Sequence, residues 1–373
     1  MLLQDLIRIP SVNPDNARPE EAEFTHEEKM ANYLADWLTD IGAEVTLEEI
    51  APRRPNLIAR FAPLDGRPRI LLGPHLDTVG VTNMTIPPFS GEIREGKIWG
   101  RGASDTKGPM SAMLTGLAEN KHILADLPVA VDFVAFMGEE ASQHGSKHFA
   151  KHHAANYAFA IVGEPTSMQV VHTTKGSLWA TLTATGTSAH ASQPQLGDNA
   201  ILKLSRALLT LQENLAPALA TFSHPVLGPS TLNIGMITGG TAPNIVPNHA
   251  SAQIDIRQTP ALHAAGGGLK LVRDTIASLG LPLEISNAHE NPPMETDPAN
   301  PFIQKLLATD SRTQTTGAPW FSDAAHLSAV GLPSICLGPG SIDQAHTKDE
   351  FLDLDLLRDG EIYFTNFIRS LAD

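Results

Sequence analysis

His75, Asp105, Glu139, Glu140, Glu164 and His346 stand where apolar runs end or in the loops beside them. His75 and Asp77 close ILLGPHLD, Glu139 and Glu140 close VDFVAFMGEE, and Glu164 closes AFAIVGEP. Asp105 lies in the turn of GRGASDTKG, and His346 in the loop after PSICLGPG. Imidazole nitrogen and carboxylate oxygen are donors that zinc accepts. One imidazole and one carboxylate per ion, plus a shared carboxylate, would make a two-metal site. Asp105, between the other pairs along the chain, is the natural bridge. Two cations about 3.5–4 Å apart can clamp a bridging water and activate it for attack on a carbonyl. Asp77, two residues after His75, is placed to accept the imidazole N–H and fix which ring nitrogen faces an ion. Glu139 then reads as the general base, taking a proton from the water and passing it to a leaving amine.

Each residue also has a plainer reading. A lone strand-end carboxylate most often caps the next helix. Asp105 would be a turn residue, Glu139 and Glu140 a solvated pair, and His346 a loop histidine. The convergence decides for chemistry, because acids repeated at neighbouring strand ends are costly to bury unless cations satisfy them.

The surrounding pattern is α/β. RILLGPHLDTV, VAVDFVAFMGEE and YAFAIVGEP are continuous apolar runs of the kind covered on both faces of a sheet. They alternate with helical stretches at about Glu21 to Ile41 and after Asp105, which predicts a mainly parallel sheet flanked by helices. In such sheets ligands bind beyond the carboxyl ends of the strands. Near Val170 the pattern changes. SLWATLTATG, a helix from Asn199 to Leu215, LNIGMITGG, ASAQIDIRQT, a helix from Leu269 to Leu279 and LPLEIS follow the order of a ferredoxin-like unit. The expected organisation is a discontinuous catalytic domain, 1–169 and 289–373, with an inserted lid and dimerisation domain at 170–288.

The 373 residues carry 41 acidic and 26 basic side chains, for a net charge of −15. That balance argues against a nucleic-acid partner, which needs a basic surface. No apolar run is long enough for a membrane helix. The single cysteine, Cys336, excludes an intrachain disulfide framework and suits a reducing compartment. No leader pattern opens the sequence, so the expected location is cytoplasmic.

In order and spacing, PHLDTV, GRGASDTKGP, FMGEEASQHGSKHF, VGEPT and QAHTKDEF resemble the M20 metallopeptidase family, in its acetylornithine deacetylase and succinyl-diaminopimelate desuccinylase group. The resemblance covers nearly the whole chain. It implies His75, Asp105 and Glu164 on one zinc and Asp105, Glu140 and His346 on the other, with cobalt also accepted. It implies Glu139 as the base and Asp77 as the partner of His75. TGTSAHAS is similar to the family's lid motif, which makes His190 an oxyanion stabiliser reaching across a homodimer. Asn244 and Arg257 resemble lid residues that contact substrate carboxylates, and Lys175 is a further candidate for an acyl chain ending in a carboxylate. Taken alone, His190 reads as a turn histidine and Arg257 as a surface cation.

The implied substrate is a small N-acyl amino acid. GPGSIDQAHTKDEF is most similar to the deacetylase branch, pointing to N2-acetylornithine, while WFSDAAHL departs from the desuccinylase branch. Desuccinylase, dipeptidase and a silent binder of acylated amino acids stay open as alternatives. GRGASDTKG lacks the third glycine and preceding strand of a dinucleotide motif. His144, His148, His152 and His153 read as a solvated helix face rather than a further metal site. Cys336 is expected to pack in a strand.

Overall fold

The computed structural model describes residues 1–372. Two compact units divide the chain. The first comprises Met1–His172, Glu295–Thr316 and the segment from Ser322 onward, and the second Thr173–Met294 and Gly317–Phe321.

In the first unit, strand Arg69–Pro74 pairs in parallel with Ala130–Ala135 on one side and Phe159–Gly163 on the other. Phe159–Gly163 in turn pairs in parallel with Ser334–Cys336. Arg54–Arg60 and Glu44–Ala51 extend the sheet antiparallel, leaving Glu44–Ala51 at an edge. The parallel strands are buried along their whole length, which is why their sequences run apolar without alternation. Leu72, Phe133 and Ile161 share one core with Met30 and Leu34 of helix Glu28–Asp40, Met110 and Met113 of helix Lys107–Glu119, and Phe364 and Phe367 of helix Leu354–Ser370. Gly116 lets two of these helices touch: a Cβ there would lie 2.8 Å from Cβ of Phe364.

The second unit is a four-stranded antiparallel sheet in the order Thr231–Gly239, His249–Gln258, Gly176–Thr185, Glu284–Asn291. Helices Ala200–Ala220 and Gly267–Ser278 cover one face, with Leu178, Leu182, Leu204, Leu211, Ile254 and Val272 in the shared core. The strand order and helix placement are those of a ferredoxin-like unit. The opposite face exposes Trp179 and Met236.

Three boundaries differ from expectation. The helix expected from Glu21 starts at Glu28, because the Glu21 carboxylate instead accepts the backbone N–H groups of Arg18, Val81 and Thr82 in a 3₁₀ turn. The second unit begins at Thr173 and extends to Met294 rather than 288, since the last strand pairs with Gly176–Thr185 as far as Asn291. Residues 317–321, expected in the first domain, belong to the second, where the Ala318 carbonyl accepts the Lys175 N–H.

Candidate metal centre

The parallel strands Arg69–Pro74, Ala130–Ala135 and Phe159–Gly163 point the same way and end at neighbouring positions. A bridge from His75 to Phe136 keeps the same register three residues beyond the last ladder pair, Leu72 with Phe133. His75, the Glu139–Glu140 pair and Glu164 therefore emerge at one rim of the sheet.

Nε2 of His75 lies 3.1 Å from Oδ1 of Asp105, and Nε2 of His346 lies 3.4 Å from Oδ2 of the same carboxylate. Asp105 thus presents one oxygen to each histidine. His346 Nε2 is also 2.9 Å from Oε2 of Glu140. Donor atoms of His75, Asp105 and Glu140 all lie within 4.8 Å of one another. The side chains of His75 and Glu140 are only 1% and 5% exposed, whereas that of His346 is 56% exposed. His346 also has a left-handed backbone with φ 61°, an uncommon conformation for a residue with a Cβ. Glu164 is buried nearby and its Oε1 has no hydrogen-bond partner among the described residues.

The rim is held from behind by residues that carry no proposed ligand atom. Asp77 accepts N–H groups from the backbone of Glu139 at 3.0 Å and Glu140 at 3.1 Å, and from the Asn13 amide at 2.7 Å. The expectation for Asp77 needs refining. Nδ1 of His75 is 2.9 Å from the backbone carbonyl of Asp77 and 3.5 Å from its carboxylate, so the main chain is the nearer acceptor. Glu350, fully buried, was not singled out from the sequence. It accepts backbone N–H groups of Gly102, Ser104 and Asp105 and a 2.8 Å contact from Arg101, so it sets the path of the loop carrying Asp105. Its signal was its place four residues after His346, inside QAHTKDEF. Asp323 is a second missed carboxylate, buried with Ser146 as donor to Oδ1 and no partner for Oδ2 among the described residues.

The electrostatics follow from this crowding. Burial raises the Asp105 pKa, but hydrogen bonds from His346 and His75 outweigh it and bring the carboxyl below its usual range. The same contacts, Asp105 first and Glu140 second, lift His346 to about 10. His75 also rises, because Asp105 and Asp77 overcome the cost of burying its charge. Desolvation, followed by the charge of Glu164, pushes Glu139 well above a normal carboxyl, and Glu164 itself is raised chiefly by burial. Two imidazoliums can pair with only two of the four carboxyl groups Asp105, Glu139, Glu140 and Glu164, and burial favours the protonated form of Glu139 and Glu164 in their place. The nitrogen and oxygen donors, and the negative charge they carry once deprotonated, fit divalent cations.

The other expected residues lie in the second unit. His190 is exposed, with Nδ1 2.8 Å from the Ser192 hydroxyl. Asn244 is exposed, and its carbonyl accepts the Ala191 N–H. Arg257 is 2.9 Å from Asp255, and the buried Lys175 ammonium donates to the Pro229 carbonyl at 2.5 Å. Cys336 is buried 3.0 Å from the Ser322 hydroxyl, and burial raises its thiol pKa.

The architecture is an α/β unit with histidines and carboxylates at its strand ends and an inserted α+β unit. The chain belongs to peptidase family M20/M25/M40, which it matches over residues 71–370, and is an enzyme of that hydrolase family. It is 32% identical over 368 residues to an acetylornithine deacetylase of Proteus mirabilis, covering 95% of this chain and 91% of the relative. A second acetylornithine deacetylase, from Vibrio cholerae, is 29% identical with 95% and 93% covered. In fold it is similar to an M20 family metallo-carboxypeptidase of Sulfolobus solfataricus, with TM-score 0.81, 18% identity and 99% and 98% of the two chains covered. It is also similar to a Bacillus subtilis protein described as a dinuclear metal binding peptidase of the M20 family, with TM-score 0.68, 15% identity and 98% and 95% covered.

Proposed function

We propose that this enzyme is a metal-dependent amidohydrolase that removes an acyl group, acetyl in the first instance, from the nitrogen of an amino acid such as N2-acetylornithine. The observation that carries the reading is Asp105, with one carboxylate oxygen toward His75 and the other toward His346. His75, Asp105 and Glu164 would hold one divalent cation, and Asp105, Glu140 and His346 a second, zinc or cobalt by donor type. Such ions supply Lewis acidity for an amide carbonyl and acidify water. Glu139 would accept the proton of the attacking water and hand it to the departing nitrogen. Burial raises its pKa, which favours its holding the proton it takes from the water. Asp77 would position that base through the Glu139 N–H.

The relatives named acetylornithine deacetylases support the acetyl reading. The peptidase titles of the solved structures favour a second, a dipeptidase with the same chemistry. A desuccinylase would need a cation for the distal carboxylate, for which Arg257 and Lys175 are the candidates. In the lid unit, His190 would stabilise the oxyanion of a partner subunit's substrate and Asn244 would contact it. A homodimer through the lid is supported by the unpaired edge of strand Thr231–Gly239, where Met236 and Ile237 are exposed. A cytoplasmic location is supported by the lone buried cysteine, and no described helix is long and apolar enough to cross a membrane.

The test is a panel of N-acetyl amino acids, N-succinyl amino acids and dipeptides, assayed with and without added zinc. Acetate release that requires metal is expected. Dipeptide cleavage alone would move the assignment to the second reading, and turnover of nothing in the panel would remove it.

A further inference from the structure

A second group of histidines and a carboxylate sits away from the strand-end rim. Glu48 lies on the edge strand Glu44–Ala51, His148 on helix His144–His152, and His153 caps that helix. Nε2 of His148 is 3.2 Å from one Glu48 oxygen, and Nε2 of His153 is 3.1 Å from the other. All three donor atoms lie within 4.8 Å of one another. We infer that Glu48, His148 and His153 form a separate site for a zinc-class divalent cation, which clips the edge strand to the helix that follows the Glu139–Glu140 turn.

Geometry and access both support the assignment. Donors bound tetrahedrally at about 2.0–2.1 Å are about 3.4 Å apart, and Oε1 of Glu48 lies 3.2 Å from Nε2 of His148 and 3.3 Å from Nε2 of His153, so both need to open only slightly to admit an ion. The three side chains are 32%, 30% and 22% exposed for His148, Glu48 and His153, open enough for an ion to enter. The rings are also held in place. His153 packs on the buried Phe149 with centroids 5.2 Å apart, and His148 on His152 at 4.4 Å. Two imidazoles and one carboxylate leave at least one position for water, a set that suits zinc, cobalt or nickel and not magnesium or calcium. Sequence spacing puts His144, His148 and His152 at i, i+4 intervals, yet here His152 serves as a stacking partner and His153 supplies the second nitrogen.

The untagged full-length protein would be dialysed to equilibrium against excess Zn²⁺ near pH 7.5, and its bound metal counted by mass spectrometry. Glu48→Gln and the double variant His148→Gln/His153→Gln would each bind one zinc fewer per chain than the parent. The zinc-induced rise in Tm would shrink in both. The difference is read against the parent, so it holds whatever number the strand-end residues bind. It should survive in a Glu140→Gln/His346→Gln background. Equal zinc counts in parent and variants, with far-UV circular dichroism showing all folded, would overturn the site.

Discussion

The two clusters of histidine and carboxylate use the same groups at similar distances and differ in charge and burial. At the strand ends, four carboxylates surround His75 and His346, and the chain delivers them from buried parallel strands. At the helix and edge strand, one carboxylate meets two half-exposed histidines. One carboxyl group faces two imidazoles at Glu48, whereas the strand-end group has four carboxyl groups to two imidazoles, a surplus of acids. The surplus cannot be diluted by water, because the neighbours are apolar strands. Distance alone therefore does not rank the two as cation sites; charge excess under burial does.

Removing a charge from the crowded cluster without removing a proposed ligand sharpens this comparison most. Glu139→Gln should lower kcat by about 10²–10⁴-fold while metal content stays at the parental level. Loss of the metals in that variant would show Glu139 to be a ligand and not the base. His190→Ala should cost about 10²–10³ in kcat. Mixing those subunits with Glu139→Gln subunits should restore part of the activity if the histidine acts on a partner's site, and no recovery would count against that role. Asp77→Asn should weaken metal binding by about 10–100-fold, measured by competition with a chromophoric chelator, because it disturbs the N–H contacts that aim Glu139 and Glu140. The same substitution should not change zinc binding at Glu48, which shares none of those contacts.

A histidine outside both clusters bears on stability and not on turnover. His346 is lifted to about 10 by its carboxylates, whereas burial, with Lys147 adding to it, brings His326 down to about 3. A depressed histidine favours the folded state above its unfolded pKa of 6.5, and that contribution fades as pH falls toward 3. Unfolding free energy should thus drop by about 1.4 kcal/mol per pH unit through this window from His326 alone. Urea melts of His326→Phe should show a slope shallower by that amount; an unchanged slope would place a proton on the native imidazole.

Much of the first unit was legible because its strands are buried on both faces, so apolar runs such as RILLGP end abruptly where the chemistry begins. The second unit was legible for the opposite reason: Leu178, Ala180 and Leu182 alternate with exposed Trp179 and half-buried Thr181 in a sheet covered on one side. What escaped depends on contacts between distant stretches. Glu350 is an ordinary acid in the sequence, and only the fold reveals that its partners are N–H groups of the loop at 102–105. Glu48 is one of several acids on an exposed strand, and nothing local ties it to His148 and His153. For Asp77 the two-residue spacing from His75 suggested a carboxylate contact, yet main-chain geometry places its carbonyl closer to the imidazole.

Anomalous X-ray scattering at the zinc edge from crystals grown with the metal tests the central claim most directly. Two peaks should appear on either side of the Asp105 carboxylate, one reached by His75 and Glu164 and the other by Glu140 and His346. A map with no peak between His75 and His346, in crystals whose solvent contains zinc, would contradict the account.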